Sequence, residues 1–255
     1  MSKIIAIIQA RTGSQRLPEK VLRKIEGRAV LEHIIDRISR SRKINTVIVA
    51  TTILKEDLKI VRLCAGKGIR VYCGSEDDVL DRYYQAARLL KAEHVVRITG
   101  DCPLIDPKII DEVVQSHIQS RADYTANTIT PTFPDGEDVE IFTFQALEKA
   151  WQKATLLSER EHVTAYIWKN KKIFKCVNVA YKEDLSSKRW TLDNIEDYAF
   201  IKAVYKHLYL KGRVFGMEDI LRLLNKYPVY EKINSRSQRN EGYIKSLRED
   251  KVITA

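Results

Sequence analysis

The 255-residue sequence contains no apolar run of the roughly 18 residues that a membrane-spanning helix requires, so no transmembrane segment is expected. Its opening run, residues 1–8, is too short for the apolar region of a signal peptide, and polar Gln9 and Arg11 follow it at once. The four cysteines form no C-x-x-C pair, which argues against a zinc site. Scattered thiols favour a cytoplasmic location, because that compartment keeps cysteine reduced.

Two common nucleotide-binding signatures are also absent. The chain has neither the G-x-x-x-x-G-K-[ST] loop nor the G-x-G-x-x-G fingerprint, which disfavours ordinary P-loop hydrolases and dinucleotide enzymes. It has no internal repeat and no low-complexity segment. One globular domain spanning residues 1–255 is therefore the simplest organisation.

Positive charge, in contrast, is plentiful, with a formal net charge of +10. A basic surface by itself is compatible with nucleotides, RNA, an anionic membrane or a merely solvated exterior. The distribution is more informative, because six cations fall between residues 11 and 28: Arg11, Arg16, Lys20, Arg23, Lys24 and Arg28. That stretch contains no aromatic residue, which disfavours a nucleic-acid-binding module.

The first half of the chain alternates between strand and helix patterns. Strands are predicted at residues 4–8, 46–51, 69–73 and 94–99, with helices near 31–38, 58–65 and 78–90 and a further helix capped by Asp106 and Pro107. This alternation predicts an α/β fold, a three-layer α/β/α sandwich with a mainly parallel, mixed sheet. Ligands bind beyond the carboxyl ends of such strands, so the strand exits after Ala10 and Thr99 should face one crevice.

The pattern changes after Asn127. Residues 128–136 are rich in proline and threonine and are predicted to form a loop, followed by a strand at 139–144, helices at 145–154 and 159–169, and a strand near 173–178. A helix is expected from Asp193 and a short one near 217–224, with the rest of the tail partly extended. Residues 128–182 are interpreted as an inserted subregion on the substrate and dimerisation side.

The loop after the first strand carries the clearest chemical signal. A triphosphate needs backbone donors at close approach, which Gly13 and Ser14 offer, and cations, which Arg11, Arg16 and Lys20 offer. The alternative is a solvated basic loop, but its position at a strand exit favours a function.

Acidic residues at two other positions each allow two interpretations. Asp101 follows a buried strand and precedes Cys102-Pro103, so it either holds Mg²⁺ or satisfies turn amides. Asp193 and Glu196 have the spacing of a helix capping box. Ser75 and Asp78 likewise resemble a helix start, whose exposed amides suit a base edge or a phosphate.

Residues 10–20, ARTGSQRLPEK, resemble the signature loop of cytidylyltransferases that activate 3-deoxy-manno-octulosonate and the sialic acids. The likeness is closest to the spore coat polysaccharide and pseudaminic acid branch and continues along most of the chain. It recurs at GSEDDVLDR (74–82), GDCP (100–103), RWTLD (189–193) with Glu196-Asp197, and RNEGY (239–243). The resemblance implies a Rossmann-like nucleotide-diphospho-sugar transferase fold and a homodimer. Nucleic-acid and membrane partners are not expected, because the basic stretch lacks aromatic residues and no apolar run is long enough to span a bilayer.

The resemblance also implies roles for individual residues. Asp101 and Asp193 become the two Mg²⁺ ligands, and Arg11, Arg16, Lys20 and Asp101 the catalytic set. The nucleotide-binding candidates are Ala10, Arg11, Thr12, Gly13, Ser14, Arg16, Lys20, Ser75, Arg82 and Thr99. The candidates for binding the acidic sugar are Glu140, Arg160, His162 and Arg189, although a helical histidine is more often a packed residue than a catalyst.

The implied reaction is transfer of CMP from CTP to an acidic sugar, with release of pyrophosphate, in surface polysaccharide biosynthesis. A metal-dependent glycosyltransferase of related architecture is the first alternative, but such enzymes usually carry D-x-D at a strand exit, where this chain has a lone Asp101. An inactive nucleotide-binding homologue that acts as a partner protein is the other.

Overall fold

The computed structural model describes residues 2–235, 239 and 241–252. Its strands are β1 (Ile4–Gln9), β2 (Lys24–Ile25), β3 (Arg28–Ala29), β4 (Thr46–Thr52), β5 (Arg70–Gly74), β6 (His94–Thr99), β7 (Tyr124–Ala126), β8 (Glu140–Thr143) and β9 (Cys176–Asn178). Its helices are α1 (Val30–Ile38), α2 (Leu58–Gly66), α3 (Val79–Leu89), α4 (Pro107–Ser120), α5 (Phe144–Lys153), α6 (Leu157–Glu161), α7 (Ala165–Lys169), α8 (Ile195–Leu208), α9 (Met217–Lys226) and α10 (Glu241–Arg248). No helix in these ranges is long and apolar enough to cross a membrane.

Seven strands form one sheet in the order β5-β4-β1-β6-β8-β7-β9, and β2 pairs separately with β3. The strands β5, β4, β1 and β6 are mutually parallel. Only β8 runs against its neighbours β6 and β7, while β9 is parallel to β7. The predicted mainly parallel, mixed sheet is confirmed, and residues 128–182 contribute β8 and β9 to it.

Strand β1 shows why helices cover both faces of the sheet. Its successive side chains point to opposite faces, and both sets are fully buried. Ala6 and Ile8 join the apolar cluster that includes α1, α4 and α8. Ile5 and Ile7 join the second cluster, which includes α3 and α5. The three-layer α/β/α architecture is therefore confirmed.

The predicted starts of two helices are confirmed by their caps. The Asp106 carboxylate accepts a hydrogen bond from the Lys108 amide at 2.8 Å, with Pro107 in the first turn of α4. The Asp78 carboxylate accepts from the Asp81 amide at 2.8 Å and starts α3. The four cysteines, all in the described part of the chain, are free thiols.

The predicted capping box of Asp193 and Glu196 is wrong by one position. The cap of α8 is Asn194, whose side chain accepts from the Asp197 amide at 2.8 Å, while the Asp197 carboxylate accepts from the Asn194 amide at 3.2 Å. Asparagine caps a helix as well as aspartate does, and this register also lets Asp197 reach a buried arginine. The Asp193 carboxylate is left for other contacts.

Two further expectations require correction. The predicted helix at 159–169 is divided into α6 and α7, because Val163 adopts a left-handed backbone with φ of 57°. The tail predicted as partly extended forms α10 instead, and α9 continues two residues beyond the expected end at 224. The motif at 239–243 is described except for Asn240, which lies outside the described residues.

Candidate active site

The exits of β1 and β6 lie side by side, as their positions in the sequence predict. Gln9 is paired with Thr99, and the Gly100 amide donates to the Gln9 carbonyl at 2.9 Å. A methyl group at Gly100 would come within 2.7 Å of that carbonyl, so the close approach of the two loops requires glycine. Together they form one side of a crevice of about 1000 Å³, which is large enough for a nucleotide and a second substrate.

The crevice brings together most of the residues that the sequence assigned to nucleotide binding. Those that line it are Ala10, Arg11, Gly13, Ser14, Arg16, Lys20, Arg82 and Thr99, and both predicted metal ligands, Asp101 and Asp193, line it as well. Thr12 is instead buried beneath the loop. The remaining lining comes from the start of α3 and the two acids before it, from α6 with His162, and from the tail.

Thr12 anchors the basic loop to a carboxylate on the neighbouring strand exit. Both the Thr12 amide and its hydroxyl donate to Asp57 Oδ1, at 2.8 and 2.7 Å, and the Thr52 hydroxyl donates to Asp57 Oδ2. Burial raises the pKa of Asp57, but the hydrogen bonds from Thr52 and Thr12 outweigh burial and leave the pKa below its usual range. An ionised carboxylate with 1% exposure therefore fixes the loop between Arg11 and Gly13.

Lys20 joins the two carboxylates predicted to bind metal. Its ammonium lies 2.8 Å from Asp101 Oδ2 and 3.0 Å from Asp193 Oδ1. Burial lowers the pKa of Lys20, but the charges of Asp101 and Asp193 reverse that effect and raise it. Burial similarly raises the pKa of Asp101, and the charge of Lys20 more than offsets it, which leaves the pKa at about 2. Lys20 and Asp101 are therefore both charged at neutral pH.

The arrangement suits a magnesium ion. Asp101 and Asp193 come from the β6 exit and the segment before α8, yet their oxygens converge on one cation, Lys20. Mg²⁺ is commonly held by one or two carboxylates together with substrate phosphates and water. The described residues contain no group of three or more His, Cys, Asp or Glu side chains placed to hold a metal, so a closed all-protein site is not formed there. The donor set fits an ion that shares its coordination with a nucleotide.

Both arginines of the loop lie at the crevice rim, about half exposed. Arg16 contacts Asp193 Oδ1 at 3.2 Å and also pairs with Glu241 of α10. Arg11 pairs with Glu76 at 3.2 Å. These carboxylate partners keep the two guanidinium groups oriented. A polyphosphate that binds this loop would replace the carboxylates with its own oxygens.

Arg82 is the most unusual cation of the crevice. It is only 3% exposed, and its Nε and Nη1 atoms have no hydrogen-bond partner within the described part of the chain. Burial, followed by the nearby charge of Arg11, lowers its pKa. Such unsatisfied donors at a crevice wall are expected to receive a ligand oxygen or nitrogen. Ser75, by contrast, uses its hydroxyl to accept from the Asp78 amide at 3.1 Å.

Three of the four sugar-binding candidates do not line the crevice and are engaged in internal contacts. Glu140 is buried and accepts from Tyr124 Oη at 2.6 Å and from Thr164 Oγ1 at 2.5 Å, and it pairs with Arg97. Arg160 pairs with Asp78 and donates to the Trp151 carbonyl at 2.7 Å. These contacts explain how both side chains hold the fold, and their roles in binding a sugar stay predictions.

Arg189 is the third of these candidates and forms a buried hub. Its guanidinium contacts Asp135 at 3.1 Å, Asp193 at 3.0 Å and both carboxylate oxygens of Asp197 at 2.9 Å. Burial and the neighbouring Asp138 raise the pKa of Asp135 to about 7. Arg189 thus connects the acidic turn at 135–138 with the carboxylate that contacts Lys20.

His162 is the fourth candidate, and it does line the crevice. Its Nε2 lies 2.9 Å from the Ser246 hydroxyl, and its ring packs edge-on against Tyr243. Burial, and then the charge of Arg97, lower the pKa of His162 to about 4, so the ring is neutral at pH 7.

Two contributors to the site, Asp57 and Glu241, were not predicted from the sequence. Asp57 lies just beyond the exit of β4, next to β1 in the sheet, and the buried pair Thr51-Thr52 before it was the available signal. Glu241 and its helix were missed because the tail was expected to be partly extended.

The fold and the site together define a nucleotidyltransferase, with a cationic loop and two carboxylates at the carboxyl edge of a three-layer α/β sheet. Residues 5–231 match the model of the cytidylyltransferase family, and the chain belongs to that family.

Full-length relatives agree with this assignment. The chain is 42% identical over 243 residues to an uncharacterized protein of Methanocaldococcus jannaschii, covering 94% of this chain and 98% of that one. It is 33% identical over 240 residues to the spore coat polysaccharide biosynthesis protein SpsF of Bacillus subtilis, covering 89% and 96%. The solved structure of a cytidylyltransferase from Leptospira borgpetersenii is 34% identical, with a TM-score of 0.86 and coverage of 93% and 99%.

The anchor of the basic loop leads to a first prediction. Asp57→Ala is expected to raise the KM for the nucleotide about tenfold with a smaller change in kcat, because hydrogen bonds to a charged group contribute about 1.5–3 kcal/mol. Asp57→Asn retains an acceptor for Thr12 and is expected to lose less. Steady-state kinetics and calorimetric titration of the nucleotide measure the effect. An unchanged nucleotide KM in folded Asp57→Ala contradicts the anchoring role.

Proposed function

We propose that this chain transfers CMP from CTP to an acidic sugar of the ulosonic or nonulosonic type, in a Mg²⁺-dependent reaction that releases pyrophosphate. The observation that carries the proposal is the convergence of Asp101 and Asp193 on Lys20 at the end of a cationic loop. Family membership supports CTP as the nucleotide. The relation to a spore coat polysaccharide protein supports a sugar acceptor and a role in surface polysaccharide biosynthesis.

In this proposal the basic loop binds the triphosphate. Gly13 lines the crevice and its amide would approach the phosphate oxygens, while Arg11 and Arg16 exchange their carboxylate partners for phosphate. The Ser14 amide, which the sequence also offered as a donor, is instead used within the loop, where it donates to the Thr12 carbonyl at 2.9 Å. Lys20 lies deepest and neutralises charge that develops on the departing pyrophosphate. Arg82 also lines the crevice and offers the nucleotide its donors, which have no partner among the described residues.

Asp101 and Asp193 would hold Mg²⁺, which when bound polarises the α-phosphate and neutralises its charge. The acceptor hydroxyl gives up its proton to water, its oxygen forms a bond to the α-phosphorus, and the bond from that phosphorus to pyrophosphate breaks. The protein's contribution is positioning and charge compensation, so no covalent intermediate on a side chain is required.

The second prediction tests this function directly. With Mg²⁺, we expect pyrophosphate release from CTP in the presence of an acidic sugar, and much less from UTP, GTP or ATP. EDTA should abolish the release, and added Mg²⁺ should restore it. A panel of acidic, amino and neutral sugars in a coupled pyrophosphate assay, with mass spectrometry of the product, measures both specificities.

Other outcomes identify the alternatives. Transfer from a finished sugar nucleotide, without pyrophosphate release from any triphosphate, would establish a glycosyltransferase. Tight CTP binding without turnover of any sugar would establish a nucleotide-binding partner protein. A homodimer and a cytoplasmic location remain part of the proposal and are tested by light scattering and by fractionation.

A further inference from the structure

The tail of the chain forms part of the crevice wall and contacts the basic loop, where Glu241 pairs with Arg16. The family match ends at residue 231, but α10 and the residues after it line the crevice beyond that point. The lining side chains from the tail are Glu241, Lys245, Ser246, Glu249 and Lys251, with Gly242. The nucleotide loop and both metal-binding candidates lie within the part matched by the family, so the tail supplies crevice lining beyond that match.

This wall is fixed to the body of the protein at its far end. The Asp250 carboxylate accepts from the amide and the hydroxyl of Ser158, at 3.0 and 2.8 Å. The Lys251 carbonyl accepts from the Leu157 amide at 3.0 Å, and Val252 forms a β-bridge with Leu156. The backbone from which the Lys251 side chain extends is therefore held in place against α6.

The carboxylates of the wall already have partners. Glu241 pairs with Arg16, and Glu161 of α6 accepts from the Ser246 hydroxyl at 2.6 Å. Glu249 lies 3.9 Å from Lys245, and both of these side chains are 62% exposed, so this pair is weak.

Lys251 differs from these residues. Among the described residues, no carboxylate lies within 4 Å of its ammonium, although it lines a crevice that contains several acids. Within the described residues, the tail thus presents one cation without a counter-ion, a second with a weak one, and the paired hydrogen-bonding groups of Ser246 and His162.

We propose that Lys251, assisted by Lys245, binds the carboxylate of the acceptor sugar, so that the tail and not the shared nucleotidyltransferase body sets the preference for an acidic acceptor. The inference rests on the proposed function, because it requires an acceptor that bears a carboxylate. In the same arrangement, Ser246 and His162 form hydrogen bonds with hydroxyl groups of that sugar.

The test compares an acidic acceptor with its uncharged carboxamide. Wild-type enzyme is expected to favour the acid in kcat/KM. Lys251→Ala should reduce kcat/KM for the acid roughly tenfold, as expected for loss of a partly solvated charge-assisted contact, and should leave the carboxamide within twofold. Lys245→Ala should have a smaller effect, and the double variant should prefer neither acceptor. The KM for CTP should stay unchanged in all three.

Arg248→Ala is the matched control, because Arg248 is an exposed cation of α10 that does not line the crevice in the described structure. It should retain the wild-type preference. If Lys251→Ala and the double variant also retain it, the inference is overturned while the proposed function stands. If wild-type enzyme activates only neutral sugars, both the inference and the proposed acidic acceptor are overturned. A KM for CTP that is the same in the variants as in the wild type shows that their nucleotide site is intact.

Discussion

Asp101→Asn is expected to lower kcat about 10²- to 10³-fold while leaving the fold intact, which corresponds to roughly 3–4 kcal/mol of lost transition-state stabilisation. The substitution preserves the shape of the side chain but removes the charge that contacts Lys20 at 2.8 Å. The backbone carbonyl of Asp101 still accepts from the Leu192 amide at 2.8 Å, so the turn keeps its anchor. Pyrophosphate release under saturating substrates measures the loss, and circular dichroism with thermal unfolding checks the fold.

A matched control for this prediction is Asp184→Asn. Asp184 is exposed, and its hydrogen bond to the Ser186 amide at 2.9 Å is local. We expect wild-type activity from this variant. Folded Asp101→Asn that retains more than a tenth of the wild-type kcat would remove Asp101 from the metal-binding and catalytic set.

Arg189→Met is expected to destabilise the protein by about 3–5 kcal/mol, because it leaves a cluster of carboxylates in the interior without their cation. Asp197 is fully buried and is held by two parallel hydrogen bonds from Arg189, while Asp135 and Asp193 take the rest of the guanidinium. Arg189→Lys should recover little of the lost stability, since an ammonium cannot donate the two parallel hydrogen bonds that the guanidinium donates to Asp197. Urea unfolding followed by fluorescence measures the free energy of unfolding.

The control for this stability prediction is Arg222→Met. Arg222 pairs with Asp219 on the exposed face of α9, and ion pairs of this kind contribute about 1 kcal/mol or less. If Arg189→Met lowers the free energy of unfolding by no more than Arg222→Met does, Arg189 does not stabilise the buried carboxylate cluster. Arg189→Met should also lower activity, because Asp193 loses one of its partners.

Several features of the fold follow from sequence patterns alone. The apolar run of β1 and the helical spacing of α1 and α3 indicate buried parallel strands with helices between them, and the structure has these elements. The crevice follows from the same pattern, since parallel strands deliver Ala10 and Thr99 to one edge. The convergence of Lys20 with Asp101 was implicit in this topology.

Other features depend on contacts between distant residues and could not be obtained in this way. Strand β7 has three residues, all buried, and shows no alternation that would distinguish it from a loop. The break between α6 and α7 arises where Thr164 turns its hydroxyl to Glu140, a residue 24 positions away. The cap of α8 shifts to Asn194 because Asp197 is recruited by Arg189. In each case tertiary packing overrides local preference.

Lys20 contacts both Asp101 and Asp193, so a substitution at one of these three positions affects the other two, and we expect the three residues to evolve together. Loss of either acid leaves the lysine with half of its compensation, and loss of the lysine leaves two acids facing each other. The effects of substitutions within such a group are not additive. Each single substitution is expected to lower activity strongly, and a double substitution is expected to lower it by less than the two single effects combined. The three residues are therefore expected to be retained, or replaced, as one unit across descendants of this protein.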